Sequence, residues 1–218
     1  GINAEYGPNK QIKKYLLKLI IVGPCGVGKT SIVRRYCHNE YSQEYKATVG
    51  VDFLNKQIQI EEQDTTYKIT TQIWDIAGQE RQTIMSRALY KDSLGAVVVV
   101  DVTQNQLDQA QKLIKTIQQT VRVPDTEKPI PIYLFLNKED LINEDQRAEI
   151  VKEVEKFEVP FIFSSALSGK SIDSGFLELV KFSLQLLKDQ NQKLTDNLIV
   201  NEVTQERTKN KEQNKSCC

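Results

Sequence analysis

The stretch Gly23-Pro24-Cys25-Gly26-Val27-Gly28-Lys29-Thr30 constrains this chain more than any other, because it fits G-x-x-x-x-G-K-[ST] and its flanks read as a strand and a helix. Before it, Leu16-Leu17-Lys18-Leu19-Ile20-Ile21-Val22 has the continuous apolar character of a buried strand. After it, Ser31-Ile32-Val33-Arg34-Arg35-Tyr36-Cys37 reads as the first turns of a helix. Glycines let such a backbone close on an anion, with its N–H groups pointing inward and a helix N-terminus behind them. The pattern assigns Gly23, Cys25, Gly26, Val27, Gly28 and Ser31 to a phosphate cradle. It sets Lys29 on the β- and γ-phosphates and the Thr30 hydroxyl at one Mg²⁺ position. A chance match in a glycine-containing turn would lack this context. Taken alone, the stretch implies a nucleoside triphosphate and leaves base and reaction open.

Strand-like and helical segments alternate through most of the remaining sequence. Strands are expected at 16–22, 51–60, 66–75, 94–100, 130–136 and 160–164, and helices at 29–38, 106–121, 143–156 and 173–188. Val97–Val100 and Ile132–Leu136 are unbroken apolar runs, as in strands covered on both faces. Residues 51–60 alternate instead, and the turn at Glu61–Thr65 predicts a hairpin with the next strand. The expected fold is therefore α/β: a six-stranded, mainly parallel sheet with one antiparallel strand and helices on both faces. Ligands of such sheets sit outside the carboxyl ends of the strands, and every motif here follows a strand. Residues 1–14 are expected to be a flexible extension, 15–188 the folded domain, and 189–218 a polar, flexible tail.

Composition narrows the partners. Basic and acidic residues number 29 each, so no overall field favours nucleic acid. No apolar run is long enough to span a bilayer, the polar start does not resemble a secretory leader, and the four cysteines form no disulfide framework. A cytosolic, monomeric protein is the expectation. His38 is read as an exposed or capping residue at a helix end, and Trp74 as a core or interface residue.

Two further strand ends fix the chemistry. The strand closing at Trp74 runs into Asp75-Ile76-Ala77-Gly78-Gln79. There Asp75 can hold Mg²⁺ through water, Gly78 N–H can bond a γ-phosphate, and Gln79 can orient an attacking water. The strand 130–136 ends in Asn137-Lys138-Glu139-Asp140. A carboxylate such as Asp140 can accept from both N1–H and the exocyclic amine of guanine. Adenine has no matching pair of donors. Asn137 can bond the base and tie loops together, while the Lys138 stem packs on its face. After the last strand, Ser165, Ala166 and Leu167 are set to offer a backbone N–H to the base oxygen.

At these residues the chain resembles the Rab family of small GTPases, within the Ras superfamily, over about residues 15–187. Thr48-Val49-Gly50-Val51-Asp52-Phe53 is similar to the Rab first switch, which implies Thr48 as a second Mg²⁺ ligand and Tyr41 as the aromatic against the guanine. Isoleucine in Trp74-Asp75-Ile76-Ala77-Gly78-Gln79-Glu80 resembles the subfamily serving lysosome-related organelles. The resemblance implies slow GTP hydrolysis with Gln79 catalytic, GTP/GDP and Mg²⁺ as ligands, and a cycle run by an exchange factor and a GTPase-activating protein. It also implies effectors on Val49, Gly50, Phe53, Trp74 and Leu89. Cys217-Cys218 resembles a double prenylation signal, served by escort proteins that also inhibit nucleotide dissociation. Two lipid chains would supply stable anchoring to the cytoplasmic face of an organelle or vesicle membrane, where one is marginal. The tail is nearly charge-balanced, so lipid rather than charge would hold it there.

The chain departs from the family at several points. Gln82 stands where an aromatic is usual after Gln-Glu-Arg, Leu89 replaces an aromatic of the effector triad, and Leu167 replaces the usual Lys. Pro24-Cys25 is unusual in the cradle, where a buried, inert thiol is expected. Gln82 and Leu89 leave a second reading open, a scaffold that holds nucleotide without cycling. A kinase or ATPase with the same phosphate cradle is disfavoured by Asn137–Asp140 and by the lack of an acceptor lid.

Overall fold

The computed structural model describes residues 10–42, 50–76 and 88–190. The chain divides into two compact units, Gly1–Val180 and Lys181–Cys218. Among the described residues the first holds six strands: β1 Gln11–Val22, β2 Val51–Glu62, β3 Thr65–Ile76, β4 Gly95–Asp101, β5 Ile132–Asn137 and β6 Phe161–Ser164. Its helices are α1 Lys29–His38, α2 Leu107–Thr120 and α3 Glu144–Val154, and residues 172–180 are also helical. In the second unit, residues 181–190 are helical.

The strands form one sheet in the order β2-β3-β1-β4-β5-β6. Only β2, which pairs with β3 from Val51↔Ile76 to Glu62↔Thr65, is antiparallel. From β1 the chain crosses to the edge strand β2, turns back through the hairpin into β3, then passes β1 to β4 and continues to β5 and β6. Right-handed crossovers taken in opposite directions set α1 and α2 on opposite faces. The reversal opens a crevice at the carboxyl ends of β1 and β4, where a doubly wound sheet takes its ligand. Every residue of β4 and of β5 is buried, as their apolar runs require. Tyr36 of α1 stacks on Phe176 at 4.0 Å between ring centroids, and Phe176 meets Phe135 of β5 edge-on at 5.4 Å. A Cβ on Gly175 would stand 2.5 Å from Phe135 Cζ, so that close approach requires glycine.

One boundary differs markedly from expectation. β1 begins at Gln11, inside the stretch read as a flexible extension, and pairs with β3 from Gln11↔Thr65 onward. Ile12 and Leu16 are 56% and 64% exposed there, so cross-strand hydrogen bonding rather than burial holds this part of the strand.

Candidate nucleotide site

The loop between β1 and α1 is shaped by what packs behind it. A Cβ at Gly23 would lie 2.2 Å from Val99 O of β4. At Gly28 it would lie 2.5 Å from Asn137 Nδ2, with φ at +95° in the left-handed region. Both positions admit only glycine without displacement of backbone or of a buried side chain. Helix α1 starts at Lys29 with no side-chain cap and no acidic residue in its first turn. Its leading N–H groups and the positive end of its dipole therefore suit an anion. Lys29 is buried, and its ammonium donates to Gly23 O at 3.2 Å and Pro24 O at 3.0 Å. That holds its charge beside the loop backbone.

The Thr30 hydroxyl donates to a carboxylate oxygen of Asp75. Asp75 is buried near the end of β3, in register with Ile21 of β1. These are hard oxygen donors, and among the described residues no group of three or more His, Cys, Asp or Glu forms a protein-only cage. That donor set fits Mg²⁺, which keeps several waters and binds through one or two carboxylates plus substrate phosphates. Ser31 follows on α1, half-buried.

At the end of β5, Asn137 is 1% exposed and joins two loops. Its Nδ2 donates to Val27 O at 2.8 Å, and its Oδ1 accepts from Ala166 N–H at 3.1 Å. Lys138, in the left-handed conformation at φ 66°, turns back so that Nζ lies 2.6 Å from Asp101 Oδ2. Asp101 ends β4 opposite Asn137 and also accepts from the N–H and hydroxyl of Thr103 at 2.9 and 2.7 Å. Burial by itself would push the Asp101 carboxyl up, but the bonds from Lys138 and Thr103 outweigh it and hold it below the ordinary range. Asp140 lies exposed on a single 3-10 turn at Glu139–Leu141. Beneath it Glu139 is buried, with Arg147 Nη1 at 2.7 Å and Lys170 Nζ at 3.0 Å. Arg147 itself lies over the Phe163 ring at 3.9 Å. The outward carboxylate thus stands on an inward one pinned by two cations.

The loop after β6 is compact. Ser165 is buried, its carbonyl accepts from Gly169 N–H at 2.8 Å, and its hydroxyl accepts from Ser168 N–H at 3.2 Å. Ala166 is buried and Leu167 is 47% exposed. Tyr41, 39% exposed, lies on the chain leaving α1. The structure therefore gathers Gly23, Val27, Gly28, Lys29, Thr30, Asp75, Asn137, Lys138, Ser165 and Ala166 at the carboxyl edge of the sheet. Gly26 lies exposed in the same loop. Thr48, Val49, Gly78 and Gln79, and the tail with Cys217 and Cys218, lie outside the described residues. Gly50 immediately precedes β2.

Cys25 corrects an expectation: its side chain is exposed rather than buried, because the close-packed side of the loop is its backbone at Gly23 and Gly28. Cys37 is the half-buried thiol, and burial pushes it up to about 11 despite the nearby Lys56 cation. His38 is exposed at the end of α1, as expected.

Away from this edge, Phe53 and Trp74 are cross-strand neighbours stacked at 5.7 Å, with Phe53 50% exposed. Lys18 reaches over the Trp74 ring at 4.2 Å and donates to Lys91 O at 2.8 Å. It thereby ties the indole to the segment just after the helical turn at 88–90, which carries half-buried Leu89. Desolvation lowers the Lys18 ammonium below its usual range, with Asp92 partly opposing.

Sequence reasoning missed Asp101 and Glu139. The first had a readable signal, an acid closing an apolar strand. The second was hidden inside the motif, as its unspecified third residue.

The Ras family profile matches residues 18–185. The chain is 43% identical to Ras-related protein Rab-32A of Dictyostelium discoideum over 59% of its own length and 58% of that protein's. It is 40% identical to Ras-related protein Rab-32 of Homo sapiens over 64% of its length and 61% of that protein's. It is also 35% identical to the Ypt/Rab-type GTPase YPT7 of Saccharomyces cerevisiae, over 84% of this chain and 87% of that one. Against the Rab-32 relatives, the matched region spans about three fifths of their length. The fold and the site define a P-loop protein of the small-GTPase class. The chain belongs to the Ras family, as a Rab-type small GTPase resembling the Rab-32 group.

Proposed function

We propose that this chain is a guanine-nucleotide switch that binds GTP with Mg²⁺, hydrolyses it slowly to GDP, and presents a GTP-dependent surface to effectors in vesicle trafficking. The observation that carries the reading is the meeting of three strand ends. Lys29 and Thr30 follow β1, Asp75 nearly closes β3, and Asn137 ends β5 with Lys138 and Asp140 just after it. Lys29 and the N-terminus of α1 would bind the β- and γ-phosphates. Thr30, Thr48 and, through water, Asp75 would hold Mg²⁺, which when bound neutralises charge on the phosphate oxygens. Asp140 would accept from the guanine N1–H and amine, with Asn137 and the 165–167 loop on the base edge and Tyr41 and the Lys138 stem on its faces. Gln79 would orient the attacking water, and Gly78 N–H would bond the γ-phosphate.

Loss of that phosphate would release Thr48 and Gly78 and with them the surface around Val49, Gly50, Phe53, Trp74 and Leu89. An exchange factor, an activating protein and escort proteins complete the cycle. Prenylation at Cys217 and Cys218 would hold the protein at the cytoplasmic face of an organelle membrane. Among the described residues no helix is long and apolar enough to cross a membrane. The first test is chromatography of the nucleotide released on denaturing purified protein. GDP or GTP near one per chain is expected, and an adenine nucleotide would overturn the reading. Multiple-turnover phosphate release with an exchange factor present separates a cycling switch from a permanently loaded scaffold.

A further inference from the structure

Arg35 sits in the last turn of α1, outside the phosphate and base motifs, yet its guanidinium reaches the loop after β6. Nε donates to Ala166 O at 3.0 Å and Nη2 to Leu167 O at 2.8 Å. Nη1 donates to Asn39 O at 3.0 Å and Asn39 Oδ1 at 3.1 Å, where Asn39 is the left-handed cap of α1. The guanidinium carbon lies 5.9 Å from the centre of the Tyr41 ring. Its stem passes the same loop at Gly169, where a Cβ would be 3.4 Å from Arg35 Cδ.

We propose that Arg35 is the positioning residue of the base site. From α1 it grips the carbonyls of Ala166 and Leu167, and so sets the amides of that loop that meet the 6-oxygen of the bound purine. This role rests on the guanine-nucleotide reading of the site.

Peptide geometry connects the grip to the base. The described chain has no cis peptide, and in a trans peptide C=O and N–H point in opposite directions. Drawing the Ala166 carbonyl to Arg35 therefore turns the Leu167 N–H away from it. The Leu167 carbonyl is drawn the same way, and the N–H across that peptide, on Ser168, is accepted by Ser165 Oγ. The Ala166 N–H is taken by Asn137 Oδ1. Three successive peptide planes, 165–166 to 167–168, are thus held by side chains from α1, β5 and the loop itself. The planar fork of an arginine edge matches two adjacent carbonyls, and a lysine ammonium is a single point of attachment. Lys170, the cation within the loop, is turned to Glu139 at 3.0 Å, and the two carbonyls are met from α1 instead. The guanidinium carbon also lies 5.9 Å from the ring centre of Tyr41, the residue read as packing on the base.

The test compares release of GDP from full-length protein with release of the 5′-diphosphate of 6-thioguanosine, which keeps N1–H and the 2-amino group and carries sulfur, a much weaker acceptor, in place of the 6-oxygen. Wild type, Arg35→Met and Arg35→Lys are loaded with each nucleotide and chased with excess GTP in Mg²⁺. Arg35→Met is expected to speed GDP release about tenfold, or about 1.4 kcal/mol, and to change the 6-oxygen-free nucleotide by less than about twofold. Arg35→Lys, which retains charge and stem, is expected to fall between, and carries the test should the Met variant fail to fold. Equal acceleration of both nucleotides would mean general loosening and overturn the proposal, as would unchanged GDP release. Wild type that retains neither GDP nor GTP would overturn the guanine reading itself, a result distinct from failure of the Arg35 variants alone.

Discussion

Asn137 is expected to act as a structural clasp whether or not a base is bound, and Asn137→Ala tests this. The side chain is 1% exposed, and its two partners belong to residues that are 0% (Val27) and 5% (Ala166) exposed. Truncation leaves the Val27 carbonyl without the 2.8 Å donor and the Ala166 amide without the 3.1 Å acceptor. Each buried group stripped of its partner costs about 1–3 kcal/mol, so the loss for the two should be roughly 2–6 kcal/mol. With m of about 2 kcal/mol/M in urea, the midpoint should fall by about 1–3 M with m unchanged. The measurement is urea unfolding at several GDP concentrations with Mg²⁺, so that weaker ligand binding is separated through the term RT ln(1 + [L]/Kd). Asn137→Asp should also destabilise, since it keeps an acceptor for Ala166 N–H but turns a buried carboxylate oxygen toward the Val27 carbonyl. If the residual loss for Asn137→Ala, corrected for binding, is below about 0.5 kcal/mol, the clasp contributes nothing and the reasoning from burial is refuted.

Three further outcomes are expected. Asp101, held below its ordinary range, stays ionised at pH values where the unfolded carboxyl is protonated. Its contribution is therefore complete above about pH 4 and drains away as pH falls through the lower native value, so acid destabilisation should be steeper in wild type than in Asp101→Asn on unfolding across pH 2–6. Gln79→Leu should bind GTP normally and lose most hydrolysis, and unchanged single-turnover cleavage would remove Gln79 from the mechanism. Replacing Cys217 and Cys218 with Ser should move the protein from the membrane pellet to the soluble fraction of cells, and persistent sedimentation with membranes would count against lipid anchoring.

What could be read in the sequence divides along a physical line. The apolar runs of β4 and β5 declared two-sided burial, and the hairpin of β2 and β3 was visible in the alternation of Val51, Phe53, Ile58 and Ile60. Helix α3 was legible even at its start, because Asn143 and Gln146 form a reciprocal capping box that local sequence specifies. The first residues of β1 were not, since Gln11 to Lys14 are exposed and held by pairing to a partner more than fifty residues away. No local pattern encodes that pairing.

The site divides the same way. On the proposed reading, Gly28, Lys29, Thr30, Asp75 and Asp140 would face the nucleotide, and their residue types follow from its chemistry. The residues behind them answer to the protein instead. Asp101 holds Lys138 at 2.6 Å, Arg147 and Lys170 hold Glu139 under Asp140, and Arg35 holds the carbonyls of Ala166 and Leu167. An acid at a strand end or an arginine late in a helix is compatible with many roles, and only three-dimensional juxtaposition selects one. Motifs therefore identify which groups touch a ligand, whereas the precision with which those groups are aimed resides in side chains that no motif contains.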